Sequence, residues 1–151
     1  MIELYDRYSQ ESRDLHESLV ATGLSQLGVV IDADGFLPDG LVSPFTYYLG
    51  YEKGKPLYFN QVPVPAFWEI SGNNQSARIE DVTQERAVIH YADGLQPRLV
   101  KQVDWKDLEG RVRQIDHYNR FGACFATTTY SADSEQIMTV YQDVNGKEVL
   151  L

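Results

Sequence analysis

Arg98-Leu99-Val100-Lys101-Gln102-Val103-Asp104-Trp105-Lys106-Asp107-Leu108-Glu109-Gly110-Arg111-Val112-Arg113-Gln114-Ile115-Asp116-His117-Tyr118 is the stretch whose reading decides the fold. It holds two short runs with apolar residues, 98–105 and 111–118, separated by turn residues. Between them lies a short polar stretch ending in Glu109-Gly110, whose glycine accepts the positive φ that a tight hairpin requires. Working outward, similar short runs recur at 57–60, 67–70, 77–82, 87–92, 124–130, 136–142 and 147–151. Asp93-Gly94 and Asn145-Gly146 supply turn residues at two more joins. Regular spacing of this kind predicts consecutive antiparallel strands, each paired with its sequence neighbour. The last run stops at Leu151 five residues after Gly146, so the polypeptide is expected to continue beyond this chain.

The strands do not divide cleanly into one apolar and one polar face. In 111–118, Val112, Gln114, Asp116 and Tyr118 share one side, and Arg113, Ile115 and His117 share the other. A sheet so patterned is partly solvated on both faces, which leaves its faces and edges open to partners.

The first forty residues have another texture. From Ser9 to Thr22, Leu15, Leu19 and Val20 fall on one side of a helix, with Ser9 as N-cap and Gly23 at the C-terminal end. A buried strand is expected over 27–32, stopped by Asp32-Ala33-Asp34-Gly35. No later alternation of helix with strand suggests parallel partners for it. The segment 36–51 holds Pro38, Gly40, Pro44 and Gly50 among its aromatics and is expected to be irregular. The predicted class is therefore α+β and mostly β: one helix and one short strand, then an extended antiparallel β-meander. The domain boundary is expected between 1–40 and 41–151.

With 151 residues, 43% of them hydrophobic, and with Tyr 10, Phe 6 and Trp 2, the chain carries enough bulk to fold as one domain with an appendage. A formal net charge of -9 argues against nucleic-acid binding, which depends on neutralising phosphates. A single Cys124 precludes an internal disulfide and suits a reducing compartment. No apolar run approaches the roughly 20 residues of a membrane span, and the chain opens on Met1-Ile2-Glu3-Leu4-Tyr5-Asp6 without a basic leader. The simplest expectation is a cytoplasmic protein.

No chemistry-bearing motif stands out. The eleven glycines are scattered, so neither dinucleotide nor P-loop patterns occur and no cofactor is expected. His16, His90 and His117 have no ligand spacing, which predicts no metal site. Cys124 lies in an apolar strand and reads as a packed small hydrophobe rather than a nucleophile. Tyr47, Tyr48, Tyr51, Phe67 and Trp68 could stack on sugar rings, but filling the core is their better-supported role. Pro63 and Pro65 cannot donate to a ladder, so 56–74 is an edge strand or a rigid crossover, with Trp68 packed beside it against Phe67 or Tyr58.

Three runs carry a resemblance: Tyr58-Phe59-Asn60-Gln61-Val62-Pro63-Val64-Pro65, Phe67-Trp68-Glu69-Ile70-Ser71-Gly72-Asn73-Asn74 and Asp116-His117-Tyr118-Asn119-Arg120-Phe121-Gly122. Through them the chain resembles the GtfB family, the stabilising, chaperone-like subunits of streptococcal glycosyltransferases that modify serine-rich repeat adhesins before export by the accessory Sec system. The resemblance implies two Rossmann-like lobes with a β-meander inserted in the first, of which this chain holds the first elements and most of the meander. It implies no catalytic residue here. A separate catalytic subunit would transfer N-acetylglucosamine to Ser and Thr hydroxyls of the adhesin polypeptide, and the meanders of the two subunits would meet. Self-association, as in related teichoic acid glycosyltransferases, and peripheral association of the whole complex with the inner face of the membrane are further expectations. Tyr58, Phe59, Pro63, Pro65, Phe67, Trp68, His117, Tyr118 and Arg120 are the candidate interaction or structural residues. The competing reading is a carbohydrate-binding β module.

Overall fold

The computed structural model describes residues 1–94 and 96–150; Leu151 of the expected last strand lies outside them. Two compact units divide the chain after Tyr51.

The first unit contains β1 (Ile2–Tyr5), α1 (Gln10–Ala21), β2 (Leu27–Val30), β3 (Leu41–Val42) and α2 (Pro44–Leu49). Helix α1 begins as expected: the Ser9 hydroxyl accepts from the Ser12 amide at 3.3 Å and the Ser12 hydroxyl accepts from the Ser9 amide at 2.7 Å. It ends at Thr22, followed by Gly23 at φ 72. The residues it buries are not the expected ones. Ser12 and His16 face inward, while Leu15 and Val20 are exposed. The physical reason lies below the helix, where Glu3 projects a buried carboxylate that the His16 imidazole meets at 3.1 Å.

The expectation that β2 lacks parallel partners is also corrected. Both β1 and β3 run parallel to it, in the order β1-β2-β3, with Ile2 opposite Leu27 and Gly28 opposite Leu41. Gly28 permits this packing, since a Cβ there would lie 2.4 Å from the Leu41 side chain. The link between β2 and β3 carries no helix, so alternation of elements in the sequence did not announce the pair. Segment 36–51 is likewise ordered rather than irregular. Pro44 opens α2 and Gly50, at φ 76, closes it, so residues read as breakers act as helix signals. Residues 41–51, expected with the meander, therefore belong to the first unit.

The second unit is one eight-stranded antiparallel sheet in sequence order: β4 (Glu69–Gly72), β5 (Ser76–Glu80), β6 (Glu85–Tyr91), β7 (Val100–Lys106), β8 (Val112–Tyr118), β9 (Cys124–Tyr130), β10 (Gln136–Gln142) and β11 (Glu148–Leu150). The expected strand over 57–60 is instead an isolated bridge, Tyr58 to Leu99, followed by a 3-10 turn.

From β7 onward the sheet is periodic. Strands of seven residues alternate with one five-residue turn, so Asp107, Asn119, Ser131 and Asp143 recur every twelve residues. In each turn the first residue's side-chain oxygen accepts from the amides two and four residues on, at 2.8–3.2 Å. The fourth residue takes positive φ: Gly110 at 81, Gly122 at 82, Ser134 at 64 and Gly146 at 76. The Asn145-Gly146 join is thus this longer turn, with one left-handed residue rather than two.

The core lies on one face of β4 to β8, where Ala77, Ile79, Ala87, Ile89, Val100, Val103 and Tyr118 are buried. Residues 54–68 cross it as a strap. The strap is pinned at the Asn119 turn: a Cβ on Gly54 would fall 2.2 Å from the Phe121 carbonyl oxygen, and one on Gly122 2.3 Å from that of Lys55. A controlled comparison follows, because Gly110 has the same φ with nothing within 4 Å of its would-be Cβ. Gly110→Ala is expected to cost about 1 kcal/mol for the left-handed backbone alone. Gly122→Ala should cost at least about 2 kcal/mol more, since two backbone segments must separate. Denaturant unfolding of both variants checks this, and equal losses would contradict the pinned strap.

Candidate interaction surface

The strap places most of the predicted residues. Its backbone joins the sheet where the Leu57 carbonyl accepts from the Val100 amide at 2.9 Å and the Phe59 amide donates to the Arg98 carbonyl at 3.0 Å. Phe59, Val62, Val64 and Trp68 then pack on the core, while Pro63 and Pro65 stay exposed and hold the segment extended. Trp68 is half-buried, with the Arg86 guanidinium 4.9 Å above its ring. Phe67 does not hold the indole as expected. It sits at φ 68 and is 92% exposed. Tyr58 packs instead on Phe59, with ring centroids 5.0 Å apart.

The second group divides between the two faces of the sheet. Tyr118 joins Phe59 and Trp68 in the core, and burial pushes its phenol well above the usual range. His117 points to the opposite face, with Nε2 3.1 Å from the Thr128 hydroxyl and its ring 6.4 Å from Phe125. Arg120 lies over Phe121 at 5.3 Å within the Asn119 turn.

Beyond the strap the core face becomes polar. Asp116 accepts from Trp105 Nε1 at 2.7 Å, Gln114 Nε2 at 2.8 Å and the Thr127 hydroxyl at 3.1 Å. On the other face Asp104 accepts from Gln102 at 2.7 Å and lies 2.9 Å from His90 Nε2. These are satisfied networks on an open sheet. Cys124 is a packed thiol, pushed up to about 11 by burial and then by the Asp116 charge, and is therefore a poor nucleophile. Among the described residues no group of His, Cys, Asp or Glu could hold a metal ion. No described helix is long and apolar enough to cross a membrane.

In the first unit, Glu3, Tyr5 and His16 form a buried cluster that sequence reading missed. Burial raises the Glu3 pKa, but hydrogen bonds from Ser25, Tyr5 and His16 outweigh it and keep the carboxyl below its ordinary range. Tyr5, donating to Glu3, is pushed up to about 12 by burial and by that carboxylate. A cavity of about 390 Å³ lies beside α1, lined by Tyr8, Arg13, His16, Pro38, Gly40 and Leu41 among others. Tyr47 and Tyr48 are exposed with their rings at 86°, edge to face, and so offer no flat platform for a sugar.

Two family descriptions fit this arrangement. The GtfB N-terminal domain matches residues 2–48 and the GtfB middle domain residues 68–151. The chain belongs to the GtfB family. Over its full length this GtfB-family chain is 90% identical to the UDP-N-acetylglucosamine–peptide N-acetylglucosaminyltransferase stabilizing protein GtfB of Streptococcus pneumoniae, of which it covers 34%. It is 53% identical over 98% of its length to the protein of that name from Streptococcus gordonii, covering 33% of it. It thus spans about a third of these curated relatives. A solved GtfA/B complex bound to UDP and GlcNAc contains a chain 53% identical to this one, with a TM-score of 0.91 over 98% of this chain and 34% of that one. The pneumococcal O-GlcNAc transferase GtfA, 12% identical with a TM-score of 0.61 over 99% of this chain and 35% of that one, shares the fold alone.

Within the GtfB-family chain, Trp68 is the residue whose role is most open to test. Trp68→Ala is expected to cost about 2 kcal/mol, below the 3–5 kcal/mol of a fully buried ring, because only part of the indole is covered. Thermal melting checks this, and an unchanged midpoint would detach the ring from the core.

Proposed function

We propose that the polypeptide containing this chain is the stabilising subunit of a glycosyltransferase that adds N-acetylglucosamine to peptide, and that this region is a non-catalytic interaction module. The observation that carries the reading is the 90% identity, along the whole chain, to a protein named as that stabilising subunit. The geometry agrees with it: an open eight-stranded meander whose two faces are both partly exposed. The partner is the catalytic glycosyltransferase subunit, GtfA in the relatives, and the acceptor is a serine-rich repeat adhesin polypeptide that this protein helps to bind. The work is placed in the cytoplasm at the inner face of the membrane, with peripheral attachment of the whole complex. Self-association through sheet edges belongs to the same proposal.

Co-expression tests the central part. Tagged chain is expected to retain GtfA on an affinity column and to raise the soluble yield of GtfA. Recovery of GtfA no better than with an unrelated tagged β protein would overturn the proposal.

A further inference from the structure

His16 joins two features of the first unit that the interaction surface does not use, the buried Glu3 carboxylate and the cavity of about 390 Å³ beside α1. Its side chain is only 9% exposed, and Nδ1 lies 3.1 Å from Glu3. Hydrogen bonds keep that carboxyl below its ordinary range, so it accepts the Nδ1 proton and fixes the ring. The neutral imidazole then presents the bare lone pair of Nε2. Nε2 has no hydrogen-bond partner among the described residues, and the ring lines the cavity. Gly40 leaves that edge open: it sits at φ 90, and a Cβ there would stand 3.3 Å from Nε2.

The rest of the lining divides by chemistry. Arg13 and Tyr8 form one wall, where Arg13 Nε donates to the Tyr8 hydroxyl at 3.0 Å and the guanidinium lies 5.1 Å from the centre of the Tyr8 ring. Val20, Pro38 and Leu41 supply apolar surface. Glu17 and Asp39, both exposed, set carboxylates at the mouth. The volume falls within the roughly 300–1,000 Å³ of small-molecule pockets, which likewise combine apolar walls with a few fixed polar groups.

Charge narrows the class of ligand. Glu3 behind the imidazole and Glu17 and Asp39 at the mouth outnumber Arg13, the cation of the lining, so a phosphate or carboxylate meets net repulsion. An ammonium ion meets the Arg13 guanidinium in the wall, and either ion loses water against Val20, Pro38 and Leu41 without a matching counter-charge. A metal ion finds no ligand group among the described residues. What Nε2 accepts is a neutral donor, an O–H or N–H. An uncharged ring bearing several hydroxyls meets all of these conditions: its C–H surface lies on the apolar side chains, one hydroxyl donates to Nε2 and another to Glu17, and a third accepts from Arg13.

We propose that the first unit binds a single uncharged sugar ring in this cavity, with His16 Nε2 accepting a hydrogen bond from one of its hydroxyls. The site lies within residues 8–41 and does not depend on the proposed partner. Amide NMR of the full chain, titrated separately with glucose and N-acetylglucosamine, tests it. At least one of the two is expected to give saturable shifts confined to 8–41, with a Kd on the order of 1 mM, as suits so small a ligand. Ala21→Phe, at an exposed position lining the cavity, fills it from the helix and is expected to weaken binding at least tenfold with the melting temperature held. His16→Asn keeps a donor toward Glu3 but lacks Nε2, and is expected to weaken binding as much. Leu15→Ser, exposed on α1 away from the cavity, is expected to bind like the parent. Absence of saturable shifts with both sugars overturns the proposal. Parent-like binding by Ala21→Phe does so too, and reads the cavity even where His16→Asn fails to fold; parent-like binding by folded His16→Asn removes Nε2 from the site. Tighter binding of acetate or ethylammonium than of either sugar overturns the ligand class.

Discussion

The second unit depends on one hydrogen-bonded turn, repeated. Asp107, Asn119, Ser131 and Asp143 each turn a side-chain oxygen onto two amides of the same loop, so that four consecutive hairpins reverse in the same five residues. Fixing the turn fixes the register, and a one-residue slip would exchange the two faces of every strand. Strands of seven residues between such turns keep Trp105, Asp116 and Thr127 on one side, where they form a single network. The same device holds apolar residues such as Leu108 and Val144 outward at the tips, on backbone that has little freedom left.

Much of this was legible in the sequence. The helix at Ser9, the hairpin at Glu109-Gly110 and the mostly β class followed from capping and alternation alone, because those signals are local. The twelve-residue period was equally present, but its four first residues are Asp, Asn, Ser and Asp, and Ser134 stands where Gly stands elsewhere. A search for identical residues passes over a repeat whose common property is a short side-chain acceptor. The parallel pairing of β1 and β3 with β2 was hidden for another reason: long-range pairing leaves no local pattern when the second link has no helix. The inward face of α1 was misread because hydrophobicity assigns burial by type, whereas Glu3 creates a polar interior that selects Ser12 and His16.

The candidate residues fared according to what held them. Phe59, Trp68 and Tyr118 converge on the core because the strap and β8 meet there, and the glycine contacts of 54 and 122 bring them together. Phe67 departs from them through a single backbone angle, which composition could not announce. The open sheet, its satisfied polar networks and its rigid tips suit a module whose work is done by contact, which is the role proposed for it.

Hydrogen exchange of the chain alone and with GtfA addresses that role most directly. Amides in the second unit, residues 52–150, are expected to exchange more slowly in the complex than in the chain alone. Exchange in the second unit unchanged by GtfA would contradict the account.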